Sequence, residues 1–199
     1  MNTAFAIDLF RQTLTAPREA ANRILALDLP RDWLWMALAL MGVLNGIVYS
    51  LVMQVGDGPQ EGAPEMMMPA ALQSPLLFTT FLLGALILTV LTLTWVGRKM
   101  GGKGETRHIL ALVAWMQMLR LIVQLVLVVL MVALPLAGLI LVVVASVWGM
   151  VILVIFVDRA HEFGNIFKAA GVIILGFLGM LVALSTVLSV FGPLVMGGA

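Results

Sequence analysis

The residues from Ile109 to Leu134 form an apolar run broken by a single charge, Arg120. A helix of ~20 apolar residues spans the ~30 Å hydrocarbon core of a bilayer, so this stretch is long enough to cross one. Four further runs share its character, at about 33–53, 76–96, 136–157 and 169–191. Residues of the chain are 62% hydrophobic and 11% charged, against about 25% charged in an ordinary soluble domain. The runs are solid Leu, Val, Ile, Ala and Met, where a transmembrane barrel would alternate apolar and polar residues over ~10-residue strands. The expected fold class is an all-α integral membrane protein, a bundle of five transmembrane helices preceded by short amphipathic cytoplasmic helices.

The chain has no cysteine, which removes disulfides, thiol catalysis and thiolate metal sites. No basic soluble domain is present, so nucleic acid is not an expected partner. Residues 1–31 do not read as a signal peptide, because Asp8, Arg11, Arg18, Glu19 and Arg23 interrupt every apolar stretch. Phe5, Leu9, Phe10 and Leu14 instead share one helical face. Thr15-Ala16-Pro17 reads as the start of a second helix, with Ala20, Ala21, Ile24 and Leu25 as its apolar stripe. Such helices either lie on the membrane surface or pack on the end of the bundle.

Charge placement suggests an orientation. Arg11, Arg18, Arg23 and Arg31 precede the first run; Arg98, Lys99, Lys103 and Arg107 lie between the second and third; Arg159 and Lys168 lie between the fourth and fifth. With five spans, every Lys and Arg except Arg120 falls on one side, which the positive-inside rule assigns to the cytoplasm. The N-terminus is then cytoplasmic, and the tail 192–199 is extracytoplasmic. The segment 54–75, rich in Pro, Gly and Met and free of Lys and Arg, is an extracytoplasmic loop. Met66-Met67-Met68 has no Cys or His beside it to complete a soft-metal site, so neither a metal nor a cofactor is expected. Gly97-Arg-Lys-Met-Gly-Gly102-Lys103-Gly104 approaches a phosphate-binding loop, but lacks the Ser or Thr after the Lys and any preceding strand. It reads as a tight turn, with Thr106 capping the next helix. His161 and Glu162 suit a surface turn, and the chain carries no constellation expected of an enzyme.

Gly42 and Gly46, beside Asn45, make the small-residue step that lets helices approach closely. Leu14-Thr-Ala-Pro17-Arg-Glu-Ala-Ala21 before the first span, Trp95-Val-Gly97-Arg-Lys-Met-Gly101-Gly102-Lys-Gly104 after the second, and Ala114-Trp115 early in the third resemble the Yip-domain (Ypt/Rab-interacting) family in its short bacterial form. The resemblance covers nearly the whole chain. It implies a multispanning fold without catalytic residues and an address in a bacterial inner membrane. It further implies work in scaffolding or organising membrane lipid or partner proteins. Longer eukaryotic members are linked to vesicle traffic and small GTPases. Asp28-Leu29-Pro30 stands where those members carry a longer Asp-Leu-Tyr-Gly-Pro type motif, so small-GTPase binding is not an expectation for this chain.

Arg120 lies ~18 Å along the helix from His108, near the bilayer midplane on this reading, where an Arg costs ~2.5–3.5 kcal/mol. No Asp or Glu falls within any of the five runs. Counting depth from the basic ends, the available partners are Gln117, Gln124, Asn45, Ser146 and Trp148, with Trp115 as a further aromatic face. Together they would form a polar cluster joining helices. Alternatively, Arg120 awaits an anionic solute or lipid, which would make the chain a small transporter or channel. Arg98, Lys99, Lys103 and Arg107 are candidate contacts for anionic lipid, worth ~1 kcal/mol each near a charged membrane surface, although topology alone also calls for them.

Overall fold

In the computed structural model, residues 3–55 and 74–196 are described, and all of their secondary structure is helical. The helices are α1 Thr3–Thr15, α2 Pro17–Ala26, α3 Arg31–Val55, α4 Pro75–Lys99, α5 Thr106–Ala133, α6 Pro135–His161 and α7 Ile166–Met196. Among the described residues, α3, α4, α5 and α6 are long and apolar enough to cross a membrane. The fifth apolar run lies within the 31 residues of α7. Residues 56–73, which hold most of the expected Met-rich loop with Met66–Met68, and residues 197–199 lie outside the described residues; α7 itself continues beyond Phe191 to Met196.

Proline sets three of the starts. Pro17, Pro75 and Pro135 each occupy the first turn of a helix, where the missing N–H costs nothing and the fixed φ suits the helix. Leu134 alone separates α5 from α6, so the two run antiparallel as neighbours. The start of α5 is held by a reciprocal cap between Glu105 and His108, whereas Thr106 is already the first helical residue.

The long helices form a ring in the order α3, α5, α6, α7, α4, with α4 also touching α5 and α6. Gly42 and Gly46 bring α3 onto α4: a Cβ on the first would overlap Leu83, and on the second Thr79. The small-residue step therefore serves packing within the bundle. Tyr49 and Phe78 stack beside it, with ring centroids 3.9 Å apart.

The core is unevenly distributed. Val90, Leu93, Ile109, Leu110, Leu112, Val113, Ile152, Phe156, Val157, Ala169 and Val172 are buried, all in the halves of the helices next to the basic loops. In the far halves, Leu76, Val129, Val132, Leu136, Val143 and Val147 are exposed. In water such a surface would be untenable; against lipid tails, which are as apolar as the side chains, it carries no penalty. The chain is accordingly an integral membrane protein whose tightly packed part lies at the basic end.

Candidate functional site: the basic end of the bundle

α1 and α2 fold back onto the bundle as an antiparallel hairpin. Leu9 and Thr13 of α1 and Pro17, Ala20, Ala21 and Ile24 of α2 are buried, and α2 lies against α5 and α6. Across the hairpin, Arg23 donates to Asp8 at 2.7 Å and to Gln12 at 2.6 Å, and its guanidinium sits 5.1 Å from the centre of the Phe5 ring. Arg107 at the start of α5 pairs with Asp28 just beyond α2.

Two indoles hold the hairpin turn. Trp115 Nε1 donates to Thr13 Oγ1 at 3.0 Å, and that hydroxyl donates onward to the Leu9 carbonyl at 2.8 Å. Trp148 Nε1 donates to the Leu14 carbonyl at 3.1 Å. Leu14 belongs to the last turn of α1, whose carbonyls have no partner within the helix, so Trp148 acts as its cap. Trp115 lies ~12 Å along α5 from Arg107, and Trp148 ~15 Å along α6 from Asp158. The hairpin turn therefore reaches well up the side of the bundle, with Arg11, Arg18 and Glu19 exposed on its outer surface.

This geometry revises the setting of Arg120. Exposed Arg18 and Glu19 require water or lipid headgroups at the level of the turn. Arg120 is ~7 Å farther along α5 than Trp115, within reach of that level for an arginine side chain. The side chain is exposed and makes no hydrogen bond or ion pair among the described residues. It falls on the helical stripe of Ile109, Val113 and Met116, residues that face α4 and α6.

Of the residues matched to Arg120 by depth, the structure brings two to each other and none to it. Asn45 is buried and its Nδ2 donates to the Met41 carbonyl at 2.7 Å and to the Gln117 carbonyl at 3.3 Å. Its Oδ1 and the Oε1 of Gln117 are buried without a donor, so Arg120 does not donate to either. Ser146 bonds back to the Val142 carbonyl of its own helix. Trp148 is engaged with α1, and Gln124 is half-buried farther along α5.

His161 is not in a surface turn. It is buried, at 1% exposure, in the seam between the α4–α5 loop and the end of α6. Its Nδ1 accepts from the Gly104 N–H at 3.2 Å, which leaves Nε2–H to donate to the Leu93 carbonyl, also at 3.2 Å. The backbone N–H of Lys103 donates to the His161 carbonyl at 3.0 Å. A Cβ at Gly97, Gly102 or Gly104 would overlap the imidazole. The glycines that resemble a phosphate loop thus make room for a histidine from a distant helix. No spacing within 97–104 signals this partner; the one clue was a histidine in an otherwise ordinary charged link.

Burial disfavours the protonated ring and pushes the His161 pKa below its ordinary 6.5, outweighing the opposing pull of the Leu93 carbonyl; Arg98 and His108 add to the lowering. His161 is the last residue of α6, past the apolar stretch that ends at Val157. There Asp158, also buried, accepts from the Asn165 N–H at 2.9 Å, and Asn165 Oδ1 caps α7 by accepting from the N–H groups of Phe167 and Lys168. The turn is completed by Glu162 and Gly164 at positive φ, 54° and 61°.

The four basic residues of the α4–α5 region divide in two. Lys103 pairs with Glu162 at 3.2 Å and Arg107 with Asp28. Arg98 and Lys99 have no carboxylate partner among the described residues, and the Lys99 ammonium sits 5.8 Å from the centre of the Trp95 ring. Both border an open groove of about 820 Å³ between α4 and α7. Among the described residues, no three His, Cys, Asp or Glu side chains come together.

No curated protein and no solved structure matches the chain. The family model described as the Yip1 domain matches residues 11–187. That span takes in the hairpin turn, the glycine cradle with its histidine and the long apolar helices through most of α7. The chain therefore belongs to the Yip1 domain family.

Proposed function

We propose that this protein is a non-enzymatic scaffold of a bacterial inner membrane, with five spans, a cytoplasmic N-terminus and an extracytoplasmic C-terminus, that organises membrane lipid or partner proteins at its basic face. The observation that carries the reading is the hairpin of α1 and α2 locked onto α5 and α6 by Trp115 and Trp148. It turns the basic end into one preformed surface, with Arg11, Arg18, Glu19 and Asn22 exposed beside the basic loops. A preorganised surface of this kind binds without the cost of ordering. The one histidine beside an acid in sequence, His161, is committed to backbone groups and is not free to move protons for a substrate.

The test places a photo-crosslinking residue at position 18 or 22 in the full-length protein in cells. Defined adducts with a lipid or one protein support the scaffold. Solute flux above empty liposomes with the purified, reconstituted protein overturns it. A second reading, a path for an anionic solute or lipid, is favoured by Arg120, which lies on the stripe facing α4 and α6 without a partner among the described residues. Under that reading, flux is present and Arg120→Gln abolishes it.

A further inference from the structure

We infer that the groove between α4 and α7 seats one anionic phospholipid, its phosphate against Arg98 and Lys99 and its upper acyl chain along Leu91, Trp95, Leu175 and Gly179. The inference rests on the scaffold reading only in taking the basic end to face a lipid headgroup layer. A retained lipid stands or falls independently of whether solute flux is found.

The groove has two chemically different ends. Its mouth carries Arg98, Lys99 and Thr106, and its track is mostly apolar, with the Thr94 hydroxyl bonded back to the Val90 carbonyl of its own helix. From Lys99 to Leu91 is ~12 Å along α4, the distance from a headgroup phosphate into the first part of an acyl chain. The helices touch where α7 is smallest: a Cβ at Gly176 would rest 3.5 Å from Thr92 Cγ2. Gly179 faces away from that contact into the groove, where an added Cβ meets nothing within 4 Å, while Thr89 and Met180 keep the two helices together behind it, Oγ1 to Sδ 3.8 Å. The missing side chain keeps the track open.

Charge decides the occupant. Lys103 and Arg107 are satisfied by Glu162 and Asp28, whereas the two cations at the mouth have no carboxylate partner among the described residues. No acid lines the groove. Glu105, the nearest in sequence, is turned back into the cap it shares with His108. A neutral solute would gain nothing from this arrangement, and a zwitterionic headgroup would bring a second cation to it. Trp95, 64% exposed with Lys99 over its ring, suits the interfacial level at which a phosphate sits.

The experiment is native mass spectrometry of the full-length protein titrated with phosphatidylglycerol, with phosphatidylcholine of the same acyl chains, and with glycerol phosphate. One phosphatidylglycerol is expected to be retained, at least ~10-fold more tightly than phosphatidylcholine, with glycerol phosphate far weaker. The R98Q/K99Q variant should bind phosphatidylglycerol roughly 10- to 30-fold more weakly and lose the preference between the lipids. Gly179→Phe fills the track without touching the charges and should weaken both lipids. Melting temperatures of the variants confirm that they are folded. Equal binding of the two lipids by wild type, a preference that survives R98Q/K99Q, undiminished binding by Gly179→Phe, or glycerol phosphate binding as tightly as the lipid would each overturn the assignment.

Discussion

Two glycines of α4 give opposite answers to the same substitution. In an open helical position, Gly→Ala stabilises by ~1 kcal/mol, because the backbone loses less freedom on folding. Gly84 is such a position: an added Cβ meets nothing within 4 Å. At Gly97 the same Cβ would overlap the His161 ring, which is fixed by the Gly104 N–H and the Leu93 carbonyl and cannot swing away. Overpacking of this kind costs ~1–3 kcal/mol, so the two variants should differ by ~2–4 kcal/mol. The assay is thermal unfolding of each in lipid nanodiscs. The decisive arm adds His161→Ala. With the ring gone the Cβ has room, and Gly97→Ala should stabilise the His161→Ala protein although it destabilises wild type. A Gly97→Ala variant as stable as Gly84→Ala, or a double variant with additive losses, would refute the cradle.

The same ring makes stability depend on pH. The folded-state pKa of His161 lies below 6.5, so the unfolded chain takes up the proton first. The contribution is fully present above pH 6.5 and is lost as pH falls from there toward the folded value; the melting temperature should drop over that window, and the drop should be smaller in His161→Ala. Thr13→Val leaves the buried Trp115 N–H without an acceptor, at ~1–3 kcal/mol. Trypsin should then cut at Arg18 and Arg23 faster than in wild type while the long helices stay protected; an unchanged rate would show that the hairpin turn is not held by this bond. Arg120→Leu removes an exposed charge with no partner among the described residues, so its melting temperature in nanodiscs should equal or exceed that of wild type. A clear loss of stability would restore the polar-cluster reading.

The apolar runs made the helices legible, because a bilayer demands continuous hydrophobic length whatever else the chain does. Depth was legible only to within a turn: counting residues from the basic ends puts Asn45 level with Arg120, and Asn45 instead meets the Gln117 carbonyl, one turn nearer the basic end. Direction around the helix axis was not legible. Trp148 and Ser146 stand at matching depth to Arg120, yet the first turns to α1 and the second to its own helix. Counting along one helix says nothing of which face a neighbour covers. Trp115 looked like an aromatic surface for a cation; its N–H was the group that mattered, and the acceptor lies about a hundred residues away. The glycine loop likewise read as a turn because its tenant, His161, comes from another helix.

The hairpin shortens the lipid-facing belt on one flank only. Past the exposed Arg120 and past Trp148, α5 and α6 each offer ~20 Å of uninterrupted apolar length before they turn at Leu134. On the opposite flank α4 offers the ~30 Å from Leu76 to Trp95 that a bilayer core requires. Acyl chains beside α5 and α6 must therefore compress or tilt, while those beside α4 stand at ordinary height. Such mismatch costs fractions of a kcal/mol per Å, and it is reduced when two short flanks share one thinned patch.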